Sequence, residues 1–205
     1  IEPRFSSLPK DQKSMDSYSF DHPFRMIYIS SIDYYKHQWN VVEAVSLLRN
    51  QGYPVELRLY GVANPGPTKY LDRSIKDFDP EGRFVHFENE VDFHSIDKVY
   101  KSSDLSIFAS TCETFGQIVL ESMASGLPIA CSNRSSMKEI VKDGCVYFDP
   151  LEVVEIYEAL KTLLDSSELR SIVAEKSYMY ASNFSWEKTS IETFEFLTSI
   201  EKKYK

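Results

Sequence analysis

The stretch Ser110-Thr-Cys-Glu113-Thr-Phe-Gly116-Gln-Ile-Val-Leu-Glu121-Ser-Met-Ala-Ser-Gly126-Leu-Pro-Ile-Ala-Cys-Ser132 decides the architecture. Before it, Leu105-Ser-Ile-Phe108-Ala109 is an apolar run of strand length. Gly116 opens a segment of helix formers that ends at Gly126 and Pro128, the residue types that stop a helix. Residues 128–131 are apolar again. Strand, loop, short helix and strand make one unit of a parallel α/β repeat, and two carboxylates, Glu113 and Glu121, flank its helix start.

The same alternation recurs on either side. Residues 24–30 read as a first strand, and 39–50 place Val41, Val45 and Leu48 at helical spacing until Gly52 and Pro54 end the helix. Residues 55–60 alternate as a second strand, followed by a Gly/Pro-rich turn over 61–67 and a polar helix over 68–78. A third strand falls at 83–87 and a helix at 93–102, with Ile96, Val99 and Tyr100 inward. The fourth strand is 105–109 and the fifth 128–131; a short helix over 136–141 stops at Gly144, and 145–148 is the sixth strand. The remainder is helical, with Val153, Ile156, Leu160 and Leu163 in one stripe and further helices over 168–180 and 186–204.

Six strands alternating with helices predict an α/β fold: a doubly wound, parallel, six-stranded, Rossmann-like sheet with C-terminal helices. Such sheets bind ligands outside the carboxyl ends of their strands, where the strand order switches, which puts the loops 30–38, 88–92 and 110–116 on one rim. Residues 1–23, with three prolines and no sustained periodicity, read as an arm or interdomain linker, and 24–205 as one domain.

Composition narrows the partners. The chain of 205 residues has a formal net charge of −8 and a sequence pI near 5.1, with no basic stripe, so nucleic acid is not expected. An acidic surface also disfavours simple electrostatic attachment to anionic lipid. Cys112, Cys131 and Cys145 are too few and wrongly spaced for a disulfide framework or a zinc site and read as reduced thiols, which fits a cytoplasmic location. No apolar run approaches the roughly 20 residues of a membrane-spanning helix. The opening residue is Ile rather than Met, so the chain reads as a piece of a longer protein.

Gly116 sits where a loop meets a helix start, so free backbone N–H groups and the positive end of the helix dipole face the rim and stabilise an anion, most simply a phosphate. A lone glycine would need no more than a tight turn; here the neighbours add to it. Glu121, four residues after Gln117, shares its helical face and leans back toward the loop of Glu113. A solvated helix glutamate is the plainer reading, but Glu121 lies among Ile118, Val119, Leu120 and Met123, and a charge in such a helix needs a reason. Lys36, in the loop after the first strand, can reach a phosphate on the same rim, or be an ordinary solvated loop lysine. Of the remaining candidates, the four histidines show no metal-ligand spacing and the serines no nucleophile context, Cys112 is expected to be small and buried, and Tyr34 and Tyr35 either stack on a ligand or pack on the domain.

These residues resemble a family. Glu113-Thr-Phe-Gly-Gln-Ile-Val-Leu-Glu121, followed by Ala124-Ser-Gly-Leu-Pro-Ile-Ala130, is similar to the Glu, seven residues, Glu motif of the family-4 retaining glycosyltransferases, in the donor-binding C-terminal half of their GT-B fold. Tyr35-Lys36-His37-Gln38 matches that family's lysine loop, Val85-His-Phe87 through Val91 its base-side loop, and Phe184-Ser-Trp186-Glu-Lys188 its terminal helix. The resemblance implies a nucleotide-diphosphate sugar (UDP-, GDP- or ADP-linked) as substrate and no cofactor or metal. It implies that Glu121 accepts hydrogen bonds from the ribose, that Glu113 contacts the transferred sugar, and that Phe115, Gly116 and Gln117 offer backbone N–H groups to sugar and phosphate. Lys36 pairs with the diphosphate and the backbone at Val91 meets the base.

Two positions depart from the family. Its usual arginine after the first strand is replaced by Ser30 and Ser31, a loss expected to weaken donor binding or to be made good by Arg25, Arg134 or a residue from elsewhere, and Asn89 stands where glycine is common. The acceptor-binding N-terminal half is absent, so the chain is expected to be inactive alone, with any peripheral membrane contact left to that half; Trp186, Ile191, Phe194, Phe196, Leu197 and Ile200 of the last helix either hold it or pack into a core. A non-catalytic nucleotide-sugar-binding or scaffold subunit with the same fold is the alternative, and an epimerase on this architecture would need acid/base groups that are not evident.

Overall fold

Three strands, β1 (Phe24–Ile29), β4 (Leu105–Phe108) and β5 (Ile129–Ser132), are buried along nearly their whole length. Strands covered on both faces read as continuous apolar runs, which is why they are visible in the sequence. The structure, a computed structural model describing residues 2–204, joins them to β2 (Val55–Tyr60), β3 (Val85–Phe87) and β6 (Val146–Phe148) in one sheet of order β3-β2-β1-β4-β5-β6. Every neighbouring pair is parallel, in a register that sets Phe24 against Val55 and Met26 against Leu105. The chain winds outward from β1 to β3 and then crosses back to β4, so the switch in direction lies between β1 and β4.

Helices cover both faces. α1 (Gln38–Asn50) packs on α2 (Pro65–Phe78) and on α6 (Val153–Asp165), whose Ile156, Leu160 and Leu163 are fully buried. α4 (Gln117–Ala124) packs on α5 (Met137–Val141) and α7 (Ser167–Ala181). α2 begins at Pro65, inside the segment expected to be a turn. Pro65 and Pro67 stand in its first turn, where a missing N–H removes no helical hydrogen bond. The helix expected over 93–102 is a 3-10 turn, Phe93–Ser95, running into α3 (Ile96–Lys101).

The arm before β1 is laid along the domain. Phe5 is buried and meets Tyr100 edge-on at 5.8 Å, and the Ser7 N–H donates to the Ala124 carbonyl at 3.0 Å. Gly126 makes room for this passage: a Cβ there would lie 2.6 Å from the Pro9 nitrogen. Farther along, the fully buried Arg170 donates to the carbonyls of Leu163 and Leu164, at the end of α6, and to the arm at Gln12 Oε1 and the Lys13 carbonyl. One guanidinium thus satisfies helix-end acceptors and holds the arm.

The last helix, α8 (Trp186–Tyr204), is different. Trp186, Ile191, Phe194, Phe196, Leu197 and Ile200 are exposed, Phe194 to 68%. The reading of α8 as a core-packing helix is therefore corrected: its apolar side chains are largely exposed rather than buried in the core.

Candidate functional site

The sheet brings Lys36 and Glu113 together across the switch. Lys36 follows β1 in a 3-10 turn, Tyr34–Lys36, Glu113 follows β4, and the Lys36 ammonium donates to Glu113 Oε1 in an ion pair. Lys36 is 7% exposed, not the solvated loop lysine that was the plainer reading. Its stem and ammonium run past the rings of Tyr35 and Phe108, at 5.0 and 5.1 Å. The turn is held from both sides: Tyr28 Oη donates to the Lys36 carbonyl at 2.7 Å, and the Thr111 N–H donates to the Tyr35 carbonyl at 2.8 Å. His37 then takes a left-handed backbone (φ 49°) so that α1 can start, and its Nε2 lies 3.1 Å from Thr111 Oγ1. Burial lowers the His37 pKa.

The loop of Glu113 is tied to its other neighbour as well. Ser135 Oγ, after β5, accepts from the Glu113 N–H at 3.0 Å and donates to the Glu113 carbonyl at 2.6 Å. Loops after β1, β4 and β5 are thereby laced into one rim, and the carboxylate of Glu113 is positioned through its own backbone.

Gly116 is the residue before α4, at φ 82° and ψ 53°. This left-handed conformation, open to glycine at little cost, turns the chain into α4. A Cβ there would also fall 2.7 Å from Met137 Cε. One turn into the helix, Glu121 is 5% exposed, so the solvated alternative does not hold. Tyr100 Oη donates to its Oε2 at 3.2 Å, and Gln117 Nε2 lies 3.4 Å from Oε1. Burial raises the Glu121 pKa, partly offset by the hydrogen bonds from Tyr100 and Gln117.

Glu113, Phe115, Gly116, Gln117 and Glu121, with Ile96, line one cleft of about 530 Å³. A second cavity of about 350 Å³, bounded by Phe5, Phe184 and Trp186, shares Phe115, Gln117 and Glu121 with it. Phe115 meets Phe184 edge-on at 5.7 Å. Val91 lies in the loop after β3, half-buried, outside the residues lining either cavity. Asn89 takes the left-handed conformation (φ 58°) that glycine usually supplies. Among the described residues no group of His, Cys, Asp and Glu is placed to hold a metal ion.

The sequence profile of the family described as "Glycosyl transferases group 1" matches residues 10–179. The chain belongs to this family. A curated relative, the O-antigen chain mannosyltransferase B of Escherichia coli, is 26% identical over 82% of the chain, which spans 44% of that protein. The MMP alpha-(1->4)-mannosyltransferase of Mycolicibacterium hassiacum is 31% identical over 82% of the chain and 41% of its own length. The chain thus spans less than half the length of these curated relatives. Among solved structures, Anabaena HepE in complex with UDP and glucose superposes with a TM-score of 0.77 at 22% identity, covering 88% of the chain and 50% of HepE. The C-terminal domain of the group 1 glycosyl transferase LpcC from Francisella tularensis gives 0.72 at 21% identity, covering 89% of the chain and 97% of that domain. The fold is that of a GT-B C-terminal domain.

Within the group 1 glycosyl transferase frame, Ser30 and Ser31 are bound by Gln38, whose Nε2 donates to Ser30 Oγ and to the Ser31 carbonyl, both at 2.9 Å. Gln38 Oε1 is a buried acceptor with no hydrogen-bond partner among the described residues. Arg25 cannot stand in for an arginine there: it sits at the start of β1, away from the rim, and binds Glu56 and the Ser102 carbonyl. Arg134 does lie on the rim, after β5, paired with Asp149. The expectation for Cys112 is corrected, since it is exposed while Cys131 and Cys145 are buried. Tyr100 and Ser135, which bind Glu121 and the loop of Glu113, are not singled out by the sequence motif. Tyr100 is legible as an inward helix position, whereas the role of Ser135 depends on β4 and β5 being neighbours.

Proposed function

We propose that this chain is the donor-binding half of a retaining glycosyltransferase that moves a hexose from a nucleoside diphosphate to a glycan, lipid or other acceptor, in the cytoplasm and without a metal. The observation that carries the reading is the Lys36–Glu113 pair across the sheet's switch point, beside the start of α4 and the buried Glu121. When the bond from the sugar's anomeric carbon to the diphosphate breaks, the electron pair leaves on a phosphate oxygen. Lys36 and the first N–H groups of α4 stabilise that charge, which a metal supplies in other designs. Glu113 neutralises Lys36 until the donor arrives and then accepts hydrogen bonds from the sugar's hydroxyls. Glu121 accepts from the ribose, with Phe115, Gly116 and Gln117 offering backbone to phosphate and sugar and the backbone at Val91 meeting the base. Most of the acceptor site is expected in the half that relatives carry and this chain does not span. Relatives named as mannosyltransferases, and HepE crystallised with UDP and glucose, make mannose and glucose the first sugars to try.

Calorimetry with UDP, GDP and ADP, free and sugar-linked, tests the reading. One nucleotide is expected to bind, and Glu121→Ala to weaken it about 10- to 100-fold, the worth of charge-assisted hydrogen bonds, with an unchanged circular dichroism spectrum. A folded wild-type chain that binds none of them refutes it. The clasp of Ser30 and Ser31 by Gln38, where the family's arginine is replaced, supports a second reading: a subunit that binds nucleotide sugar without transferring it. Donor hydrolysis by the full-length protein decides between the two.

A further inference from the structure

Beside the lysine turn, outside the cleft, stands a cluster of aromatic side chains that the donor site does not use. Trp39, half-buried, and Tyr70 lie with ring centroids 5.5 Å apart and planes tilted by 41°. Tyr34 stands nearly at right angles to Tyr70 (78°, 5.9 Å). Tyr34 and Tyr70 are 55% and 56% exposed, so the cluster is not a core element, and exposed aromatic patches of this kind mark contact sites. Gly66, in the first turn of α2, lets Tyr34 lie against the helix: a Cβ there would come 2.7 Å from Tyr34 Oη. Asp33 accepts the Tyr34 N–H through Oδ1 at 2.7 Å, and its Oδ2 lies 3.4 Å from Asn64 Nδ2.

The geometry points to a stacking subsite for a neutral pyranose of the acceptor glycan, formed by Trp39, Tyr70 and Tyr34 with Asp33 and Asn64 at its edge. A pyranose has an apolar C–H face that lies on an aromatic floor and a rim of hydroxyls that need donors and acceptors at the edge. The exposed rings of Tyr34 and Tyr70 with Trp39 supply the first, and the carboxylate and amide the second. Tyr34 belongs to the same turn as Lys36, which ties the cluster to the loop of the candidate site. It rests on the glycosyltransferase reading for its ligand being an acceptor, though not for the binding itself.

Trp39 and Trp186 are the two tryptophans of the chain, so Trp186→Phe leaves Trp39 as the only indole reporter. In that background, titration with neutral α-linked mannotriose and maltotriose is expected to give a saturable change in Trp39 emission with at least one of them. Tyr70→Ala is expected to weaken it about fivefold or more, while Tyr70→Phe, which keeps the ring, restores it. Nucleotide affinity stays unchanged in Tyr70→Ala, and sugar binding persists in Glu121→Ala, so failure of the donor reading and failure of this one are separable. The inference is overturned by no saturable change with either sugar, by equal affinity in Tyr70→Ala and the parent, or by self-association that protects Trp39 and excludes the sugars.

Discussion

The two flanks of the α4 start treat a carboxylate in opposite ways. On one, Glu113 is neutralised by Lys36 from the neighbouring loop; on the other, Glu121 is buried against a tyrosine hydroxyl, and burial outweighs both that hydrogen bond and the nearby charge of Arg4. On the proposed function the first arrangement holds a charge for a diphosphate and screens it meanwhile. The second carries a standing desolvation cost that makes sense if the carboxylate is kept for a ligand's hydroxyls. On the proposed function the difference separates charge held for catalysis from charge held for recognition, and each can be attacked by its own substitution.

The largest effect is expected at the paired flank. The side chains of Lys36 and Glu113 are 9% and 16% exposed, so Lys36→Ala strands a carboxylate that is mostly out of water. Breaking such a pair from one side costs about 3 kcal/mol. Urea unfolding is therefore expected to show a large loss in Lys36→Ala and recovery of most of it in the Lys36→Ala/Glu113→Ala double variant. Diphosphate affinity is expected to fall about 100-fold in both, since the phosphate contact is gone in either background. Equal stability of the single and double variants would erase the contrast between the flanks.

Gly116 joins the flanks, and Gly116→Ala is the middle case. The substitution places a Cβ at φ 82° and 2.7 Å from Met137 Cε. Left-handed backbone alone costs roughly 1–2 kcal/mol for a residue with a side chain. Adding Met137→Ala is expected to relieve the contact but not the backbone strain, so thermal melts of the double variant should stay below wild type once the Met137→Ala loss is subtracted. Full recovery would mean that the backbone at 116 relaxes freely and does not fix the direction of α4.

Much of this was legible beforehand, and the limits are physical. β1, β4 and β5 read as apolar runs because both of their faces are covered, and the α6 stripe repeats at helical spacing because one face is. The unit around Gly116 and Gly126 is punctuated by residues that local backbone geometry demands. Local reading failed at α2, where prolines that suit a first helical turn look like a loop, and at Cys112, whose exposure depends on how three loops pack. The Lys36–Glu113 pair joins residues 77 apart in sequence and needs the strand order, which periodicity does not contain. The corner of Tyr34, Trp39 and Tyr70 needs the packing of α1 on α2 and was invisible for the same reason.

The smallest effect is expected at the flank of Glu121, and its sign is opposite. Burial raises the Glu121 pKa above its ordinary value of 4.5. A raised carboxyl pKa means that the folded state carries the ionised form at a cost, fully present above the folded pKa and gone below 4.5, where both states hold the proton. Glu121→Gln keeps an oxygen to accept from Tyr100 and removes the charge. Near neutral pH it is therefore expected to stabilise the domain by about 1 kcal/mol, the scale of single stabilising substitutions. The gain should shrink as the pH falls through the raised value and vanish below the ordinary carboxylate range, as read from thermal melts across that window. The same variant is expected to bind nucleotide less well, because an amide meets two ribose hydroxyls with one acceptor where a carboxylate offers two. Stability gained and affinity lost at one residue would place Glu121 among groups retained for a ligand. A variant that matches wild type in stability at neutral pH would instead mean that the Tyr100 and Gln117 hydrogen bonds already offset the burial, and the contrast between the flanks would reduce to the presence of Lys36 on one of them.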